Sequence, residues 1–492
     1  PLRHPSCGWR TPDGSPPLFS DTTATTTTTT TTMAASPAAS GRSLGGHFPS
    51  LSSTRSVTSR SSLSSSRSPS GRDVDIDAIL NHPGSKVTSR QGLALSSRSS
   101  SFHSARSAAL SDRNLDVSAA LELEGCSLSD EATMKAWTLS DYAEPATAVK
   151  QMTLREDVAI PKPNFGEVRV KISHAAVNPI DWKLFGGASP LFAAHAPYTP
   201  GFDFAGVVES AGDGTELEVG EKVIGYIGLT ETCSPDGPPS NGHGSAGAFA
   251  QYCCIPESRL AVVPGYSDAR KLSGLPLAGL TAFQALFTGR GGVSLQGTAL
   301  GDLRKGQKVL VLGGSSSTGF LAVQLANAAG AEVVATASDA MMPDGMQTKM
   351  DWVKSLGAHR LINYKKQDWS EVLRSEEERF DMIFDTVGSN DDLAKAGAIL
   401  KEGAPFVSIA NFDPKIPEGA AFRFASFIVH SDGRDLADLV TLVEQRKLSV
   451  LVDSVFEFEE AREALERSMT GRATGKIIVE VDDFFASERS FG

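Results

Sequence analysis

From Lys308 the chain reads KVLVLGG, then SSST, then GFLAVQLANAAG, then AEVVATAS. An apolar run of strand length passes through a Gly/Ser turn into an apolar helical run closing on Gly330, and a second apolar run follows. Strands that are apolar at every position belong to a sheet covered on both faces, and two of them joined through a helix lie parallel. The alternation continues with DWVKSLGA as a helix and FDMIFDTVG (Phe380–Gly388) as a strand. It predicts an α/β fold with a doubly wound parallel sheet.

The turn itself reads Gly313-Gly314-Ser315-Ser316-Ser317-Thr318-Gly319. A tight turn at this place brings backbone N–H groups close to a pyrophosphate, and the helix behind it presents its positive end. Gly313 and Gly319 hold the outer positions. Ser316 stands where a middle Gly would allow the closest approach; hydroxyls add donors, while its Cβ restricts that approach. A Gly-rich turn alone is as often an ordinary loop. Its setting between a strand and a helix, with a second strand about 20 residues on, favours a dinucleotide site. That second strand ends in Ala337-Ser338, without the acid that would accept from a ribose 2′-OH. A 2′-phosphate suits small donors and a cation, so NADPH is the expected cofactor, with Ser338, Lys349 and Tyr364 at its adenosine end. Asp339 argues the other way, and Lys349 reads equally as a solvated helix residue.

Upstream, Val168, Val170 and Ile172 alternate with Arg169 and Lys171, as in a half-buried strand. GVVESAG, EKVIGYIG and AFAQYCCI add short strands with Gly-bearing turns, together a compact β-unit. After a helix at Asp435–Gln445, VDSVFEF and TGKIIVEV are strands expected to rejoin it. Three stretches, Thr230–Ser245, Gly289–Lys305 and Asp339–Thr348, read as mobile loops.

Residues 1–133 are of another kind. They hold 12 Lys and Arg against 11 Asp and Glu, which leaves 34 against 47 in residues 134–492. The acidic body offers no basic stripe for phosphate backbones, so nucleic acid is not an expected partner. Between Met33 and Arg72 there is no acid, and Arg42, Arg55, Arg60, Arg67 and Arg72 lie among serines. This composition fits an organellar transit peptide, for chloroplast or mitochondrion, and equally a plain disordered tail on a cytoplasmic protein. A short helix is expected around Leu115–Leu123. Residues 1–32, which end in the Thr tract Thr25–Thr32 before Met33, read as translated upstream sequence. The five cysteines include no CxxC pair, which speaks against a disulfide framework or zinc knuckle. No run reaches the ~18 apolar residues of an integral membrane segment.

The runs AAVNPIDWKLFGG, PYTPGFDFAGVV, GAFAQY, PLAGLTAFQAL, VLVLGGSSSTG, VKSLGA, FDTVG and TGKIIVEV, in this order, resemble the quinone oxidoreductase and enone reductase branch of the medium-chain dehydrogenase/reductase superfamily. The resemblance covers residues 134–492. It implies a GroES-like β domain (134–277 and 430–492) beside a Rossmann domain (278–429), an active site in the cleft between them, NADPH, and a homodimer. Zinc alcohol dehydrogenases of the superfamily carry Cys where this chain has Asn178 and His where it has Phe202. In place of their third ligand it has Ala278-Gly279-Leu280-Thr281. No metal is therefore expected.

Without a Lewis acid, hydride transfer suits substrates that are electrophilic by themselves, namely quinones and α,β-unsaturated carbonyls. The resemblance places Asn178 and Lys183 as catalytic candidates. Asn178 would donate from its amide, and Lys183, where relatives carry Tyr or Lys, would stabilise an oxyanion or supply a proton. Lys183 also reads as a surface cation. Asp181 fits a turn cap. Thr281 would bond cofactor or substrate, and Asp385 and Val387 would border the nicotinamide. The alternative is a nucleotide-sensing binding protein of the same fold with little turnover.

Overall fold

A computed structural model describes residues 132–186, 199–228, 247–265, 267–287, 292–298, 300–375 and 379–482. The transit or tail segment, the helix expected at Leu115–Leu123 and the whole of Thr230–Ser245 lie outside the described residues.

Strands β1 (Thr133–Thr138) and β2 (Thr153–Ala159) form an antiparallel pair. The next five strands are β3 (Glu167–Val177), β4 (Asp203–Ala211), β5 (Lys222–Tyr226), β6 (Tyr252–Pro256) and β7 (Leu260–Val262). Val168, Val170 and Ile172 of β3 are wholly buried and Arg169 and Lys171 only half so, as the alternation requires. β3 carries β4 on one edge; on the other, β6 pairs with Glu167–Lys171 and a C-terminal strand with His174–Val177.

The second sheet holds β8 (Val293–Ser294), β9 (Lys308–Leu312), β10 (Glu332–Ala337), β11 (Arg360–Asn363), β12 (Met382–Asp385), β13 (Pro405–Ser408) and β14 (Arg423–Ile428). Its order is β11-β10-β9-β12-β13-β14-β8, all parallel except β8. The six parallel strands thus run 3-2-1-4-5-6 in sequence rank, and the direction of winding reverses between β9 and β12. Ligands of such sheets bind at that reversal, outside the carboxyl ends of the strands. Finally β15 (Val452–Glu457) and β16 (Lys476–Glu480) join the first sheet through β16 on β3.

Six helices matter below: α1 (Pro179–Lys183), α2 (Pro276–Leu286), α3 (Gly319–Ala328), α4 (Lys349–Ser355), α5 (Gly433–Glu444) and α6 (Ala461–Met469). α2 is apolar all round, as a helix enclosed on every side must be. One apolar cluster takes in Phe202 and Tyr226 of the antiparallel part, Leu280 and Phe283 of α2, Leu436 and Leu439 of α5, and Val309, Val311 and Phe320 of the parallel part.

Two expected mobile loops prove to be built segments. Asp339–Thr348 contains a small hairpin, bridged at Met341 and Thr348, with Met342 N donating to Gln347 O and the Met342 side chain buried in the core. Within Gly289–Lys305, β8 pairs antiparallel with β14, Leu295 N donates to Ser426 O, and Thr298 Oγ1 donates to Phe424 O. The open edge of β14 is thereby filled by the chain itself. Among the described residues no helix is long and apolar enough to cross a membrane.

Candidate functional site

The Gly313–Gly319 turn joins β9 to α3 at the reversal point. Gly313 has φ of +80°, and an added Cβ would stand 2.4 Å from Thr386 Oγ1. A Cβ on Gly319 would lie 2.1 Å from Gly313 O, so Gly319 packs directly against the backbone at the start of the turn. Ser316 turns inward: its hydroxyl accepts from Gly319 N at 2.9 Å and bonds Thr386 Oγ1 at 2.9 Å. The hydroxyl is thus spent on the turn itself and on Thr386. Ser317 Oγ donates to Gly475 O at 3.0 Å, and Thr318 precedes the first turn of α3. The N–H groups of Ser315, Ser317 and Thr318 donate to no acceptor among the described residues. Glycines that no side chain can replace, with undonated N–H groups beside a helix start, fit a pyrophosphate.

The residues expected at an adenosine end gather around the tip of β10. Gly313 N donates to Thr336 Oγ1 and Gly314 N to Thr336 O, both at 2.9 Å. Ser338 is buried just beyond. Asp339 does not stand alone: Lys366 Nζ lies 2.6 Å from its carboxylate, and this hydrogen bond, with one from Asn363, holds its pKa below the usual range. Tyr364 is exposed. Lys349, half-buried at the start of α4, has its pKa lowered first by burial, with Asp453 opposing and Arg467 and Lys365 adding to the decrease. Past β12, Val387 is exposed, but Asp385 faces inward, accepting from Val387 N at 2.8 Å and from Ser408 Oγ at 2.7 Å. Asp385 organises the turn that presents Val387.

Asn178 is 2% exposed and its amide is committed: Nδ2 donates to Asp203 Oδ2 at 2.9 Å and, more weakly, to Ala176 O at 3.3 Å, while Oδ1 accepts from Lys476 Nζ at 2.6 Å. Asp203 also accepts Leu277 N at 2.8 Å, in the first turn of α2. Sequence reasoning placed Asn178 at the site but missed Asp203 and Lys476. The signal available was a Lys among the buried-strand residues of TGKIIVEV, a position that demands a partner. Asp181 caps the same turn, accepting from Asn178 N at 2.6 Å, and among the described residues its Oδ1 has no hydrogen-bond partner within reach. Burial, helped by the nearby Asp203, pushes its pKa up to about 8.

At the end of α1, Lys183 opens to solvent, yet the crowd of protein around it lowers its pKa by desolvation, with no counter-ion contributing. Its ammonium lies 5.7 Å from the centre of the Trp182 ring. Thr281 is 5% exposed and its buried hydroxyl has no hydrogen-bond partner among the described residues. A groove of about 250 Å³ lined by Asp302, Asp381, Lys401 and Arg423 lies at the opposite ends of the strands, away from the reversal point.

The donors a superfamily zinc would need do not fit. Asn178 is fully engaged, Phe202 packs its ring 6.1 Å from that of Tyr226, and Thr281 is the sole polar group of its stretch. Cys253 and Cys254 lie in β6, and burial raises both thiols, Cys254 up to about 12. Among the described residues no three His, Cys, Asp or Glu side chains gather as a metal set.

Residues 164–265 match the family described as alcohol dehydrogenase GroES-like domain, and residues 356–479 match zinc-binding dehydrogenase. The 2-methylene-furan-3-one reductase of Solanum lycopersicum is 32% identical over 72% of this chain and 80% of that protein. The NADPH-dependent alkenal/one oxidoreductase, chloroplastic, of Arabidopsis thaliana is 31% identical over 70% of this chain and 79% of its own length. Among solved structures, the quinone oxidoreductase from Coxiella burnetii superposes with a TM-score of 0.55 at 26% identity, over 71% of this chain and 99% of that one.

Proposed function

Because this chain belongs to the medium-chain dehydrogenase/reductase family, in its quinone oxidoreductase branch, and is an oxidoreductase using a nicotinamide cofactor, we propose that it is an NADPH-dependent, zinc-independent reductase of quinones or α,β-unsaturated carbonyls. The observation that carries the reading is the glycine-bounded turn Gly313–Gly319 at the reversal point of the sheet. The GroES-like part is taken as 134–277 and 430–492 and the Rossmann part as 278–429.

NADPH, when bound, supplies the hydride. Ser315, Ser317 and Thr318 offer N–H groups to its pyrophosphate, and Gly319 closes the turn. At the other end Ser338, Tyr364 and Lys349 favour a 2′-phosphate, because the Asp339 charge is already answered by Lys366. Thr281 Oγ1 orients the cofactor or substrate, and Val387 borders it. Lys183 Nζ stabilises the developing oxyanion and delivers a proton; its lowered pKa makes the ammonium a better acid. Asn178 serves by holding the turn that carries Lys183, since both amide ends are bound. The names of the relatives support an enone or quinone substrate, and the chloroplastic relative, with the Arg/Ser-rich leader, supports an organelle.

The test is turnover of the purified chain with NADPH against NADH on an alkenal, a methylene ketone and a quinone. Preference for NADPH and turnover of at least one substrate are expected, with Lys183→Ala lowering kcat about 10²-fold or more. Saturable NADPH binding without turnover of any would favour the nucleotide-sensing alternative, and an unchanged kcat in the variant would remove Lys183 from the chemistry.

A further inference from the structure

Four separated pieces of chain meet at the Asp203 carboxylate. Asp203 opens β4 and is completely buried. Its Oδ1 accepts from Leu277 N at 2.8 Å, and its Oδ2 accepts from Asn178 Nδ2 at 2.9 Å and Lys476 Nζ at 3.3 Å. Lys476 is 1% exposed, and its ammonium also donates to Asn178 Oδ1 at 2.6 Å. The residue before it, Gly475, receives the Ser317 hydroxyl of the nucleotide turn. Gly274 packs so closely that a Cβ there would stand 2.9 Å from Lys476 Cβ and Cγ.

Burying two charges is costly, and an apolar pair of similar volume usually serves stability as well or better. What an apolar pair cannot do is orient. A carboxylate held at the first turn of a helix answers its N–H groups and its positive end. The same carboxylate, with the ammonium, fixes which end of the Asn178 amide points where.

We propose that Asp203 is a positioning residue, with Lys476 as its counter-ion, that locks α2 and the Asn178 turn in register with the nucleotide turn. The lock sets Thr281, one helical turn past Leu277, and Lys183, at the end of α1, relative to one another. This rests on the reductase reading for its kinetic consequence, but not for its structural one. An amide at position 203 keeps one acceptor oxygen, so its NH2 would face either Leu277 N–H or the Asn178 NH2, and one of these donors would lose its acceptor.

The test uses the full chain with Lys476→Met, Lys476→Arg and the double change Asp203→Asn/Lys476→Met. Lys476→Met leaves an unpaired buried carboxylate and is expected to lower Tm by about 5 °C or more. The double change removes both charges and should recover most of that loss. Hydrogen exchange at residues 276–281 and 178–183 should nevertheless stay at least about tenfold faster than in the wild type, with exchange in β9 and β10 unchanged. The NADPH Kd should stay within about threefold, while kcat falls about tenfold or more. Lys476→Arg, which keeps charge and donors, should retain kcat within about threefold. Wild-type exchange and kcat in the double variant would overturn the proposal, showing that the pair carries stability alone. Should the wild type prove inactive on every substrate, the reductase reading fails, while the exchange measurement still decides the role of Asp203.

Discussion

Asp181 is a carboxyl group that the fold keeps from water with one oxygen unanswered among the described residues. With a pKa of about 8 in the folded chain and about 3.9 in an unfolded one, it binds a proton on folding throughout the window between. Folded protein then holds more protons than unfolded, so the stability this group contributes is full below pH ~4 and is lost as pH rises through about 8. Asp181→Asn keeps an acceptor for Asn178 N and cannot ionise. The wild type should therefore lose stability relative to the variant from pH 5 to pH 8, at up to about 1.4 kcal/mol per pH unit. Denaturant melts of both proteins at pH 5, 7 and 9 measure this; parallel curves would mean that Asp181 ionises normally in place. The sequence made Asp181 legible as a turn cap because its partner is three residues away. The role of Lys476 was not legible, because its partners are 298 and 273 residues distant. The resemblance put Asn178 among the catalytic candidates, but whether its amide faces a ligand or the protein depends on those same distant groups.

The nucleotide turn was legible as an element because its backbone demands glycine locally. Gly319→Ala would place a Cβ against Gly313 O, a backbone atom that can give only by opening the turn. It should weaken NADPH binding about tenfold or more, since backbone N–H groups must keep their aim on the phosphates. Fluorescence titration reads the change, with Gly265→Ala, which meets nothing within 4 Å, as the control expected to bind normally. Equal affinity in both would place the cofactor elsewhere. β8 and the 339–348 hairpin were not legible. A strand of two residues has no period of its own; β8 is a strand because β14 offers unpaired groups, which Gln296 also reaches, its Oε1 accepting from Ser426 N. Glycine and serine in that stretch read as a loop until the edge it covers is known. With this edge occupied, a homodimer formed by continuing the sheet past β14 would have to displace β8.

At the scale of the molecule the short alternating strands and the later strand–helix alternation foretold two sheets, a β-unit and a doubly wound parallel one. It did not foretell that they share apolar packing. Leu280 and Phe283 of α2 belong to one buried cluster with Tyr226 on the antiparallel side and Val309 and Phe320 on the parallel side. Because α2 is apolar on every face, its pattern says that it is enclosed and not by what. Each sheet also has an interior of its own, with Val168, Val170 and Phe249 on the antiparallel side and Ile383, Leu393 and Phe406 on the parallel side; if the shared cluster couples them, the folded body should unfold as one cooperative unit. Calorimetry of the full chain should show a single main transition. NADPH at a hundredfold excess over its Kd should move the whole of it upward, by the equivalent of about 2.7 kcal/mol, because a ligand bound at the carboxyl edge of one sheet stabilises everything that melts with it. Two resolved transitions, of which NADPH moves only one, would mean that the shared cluster does not couple the sheets and that the parallel sheet with α2 stands by itself.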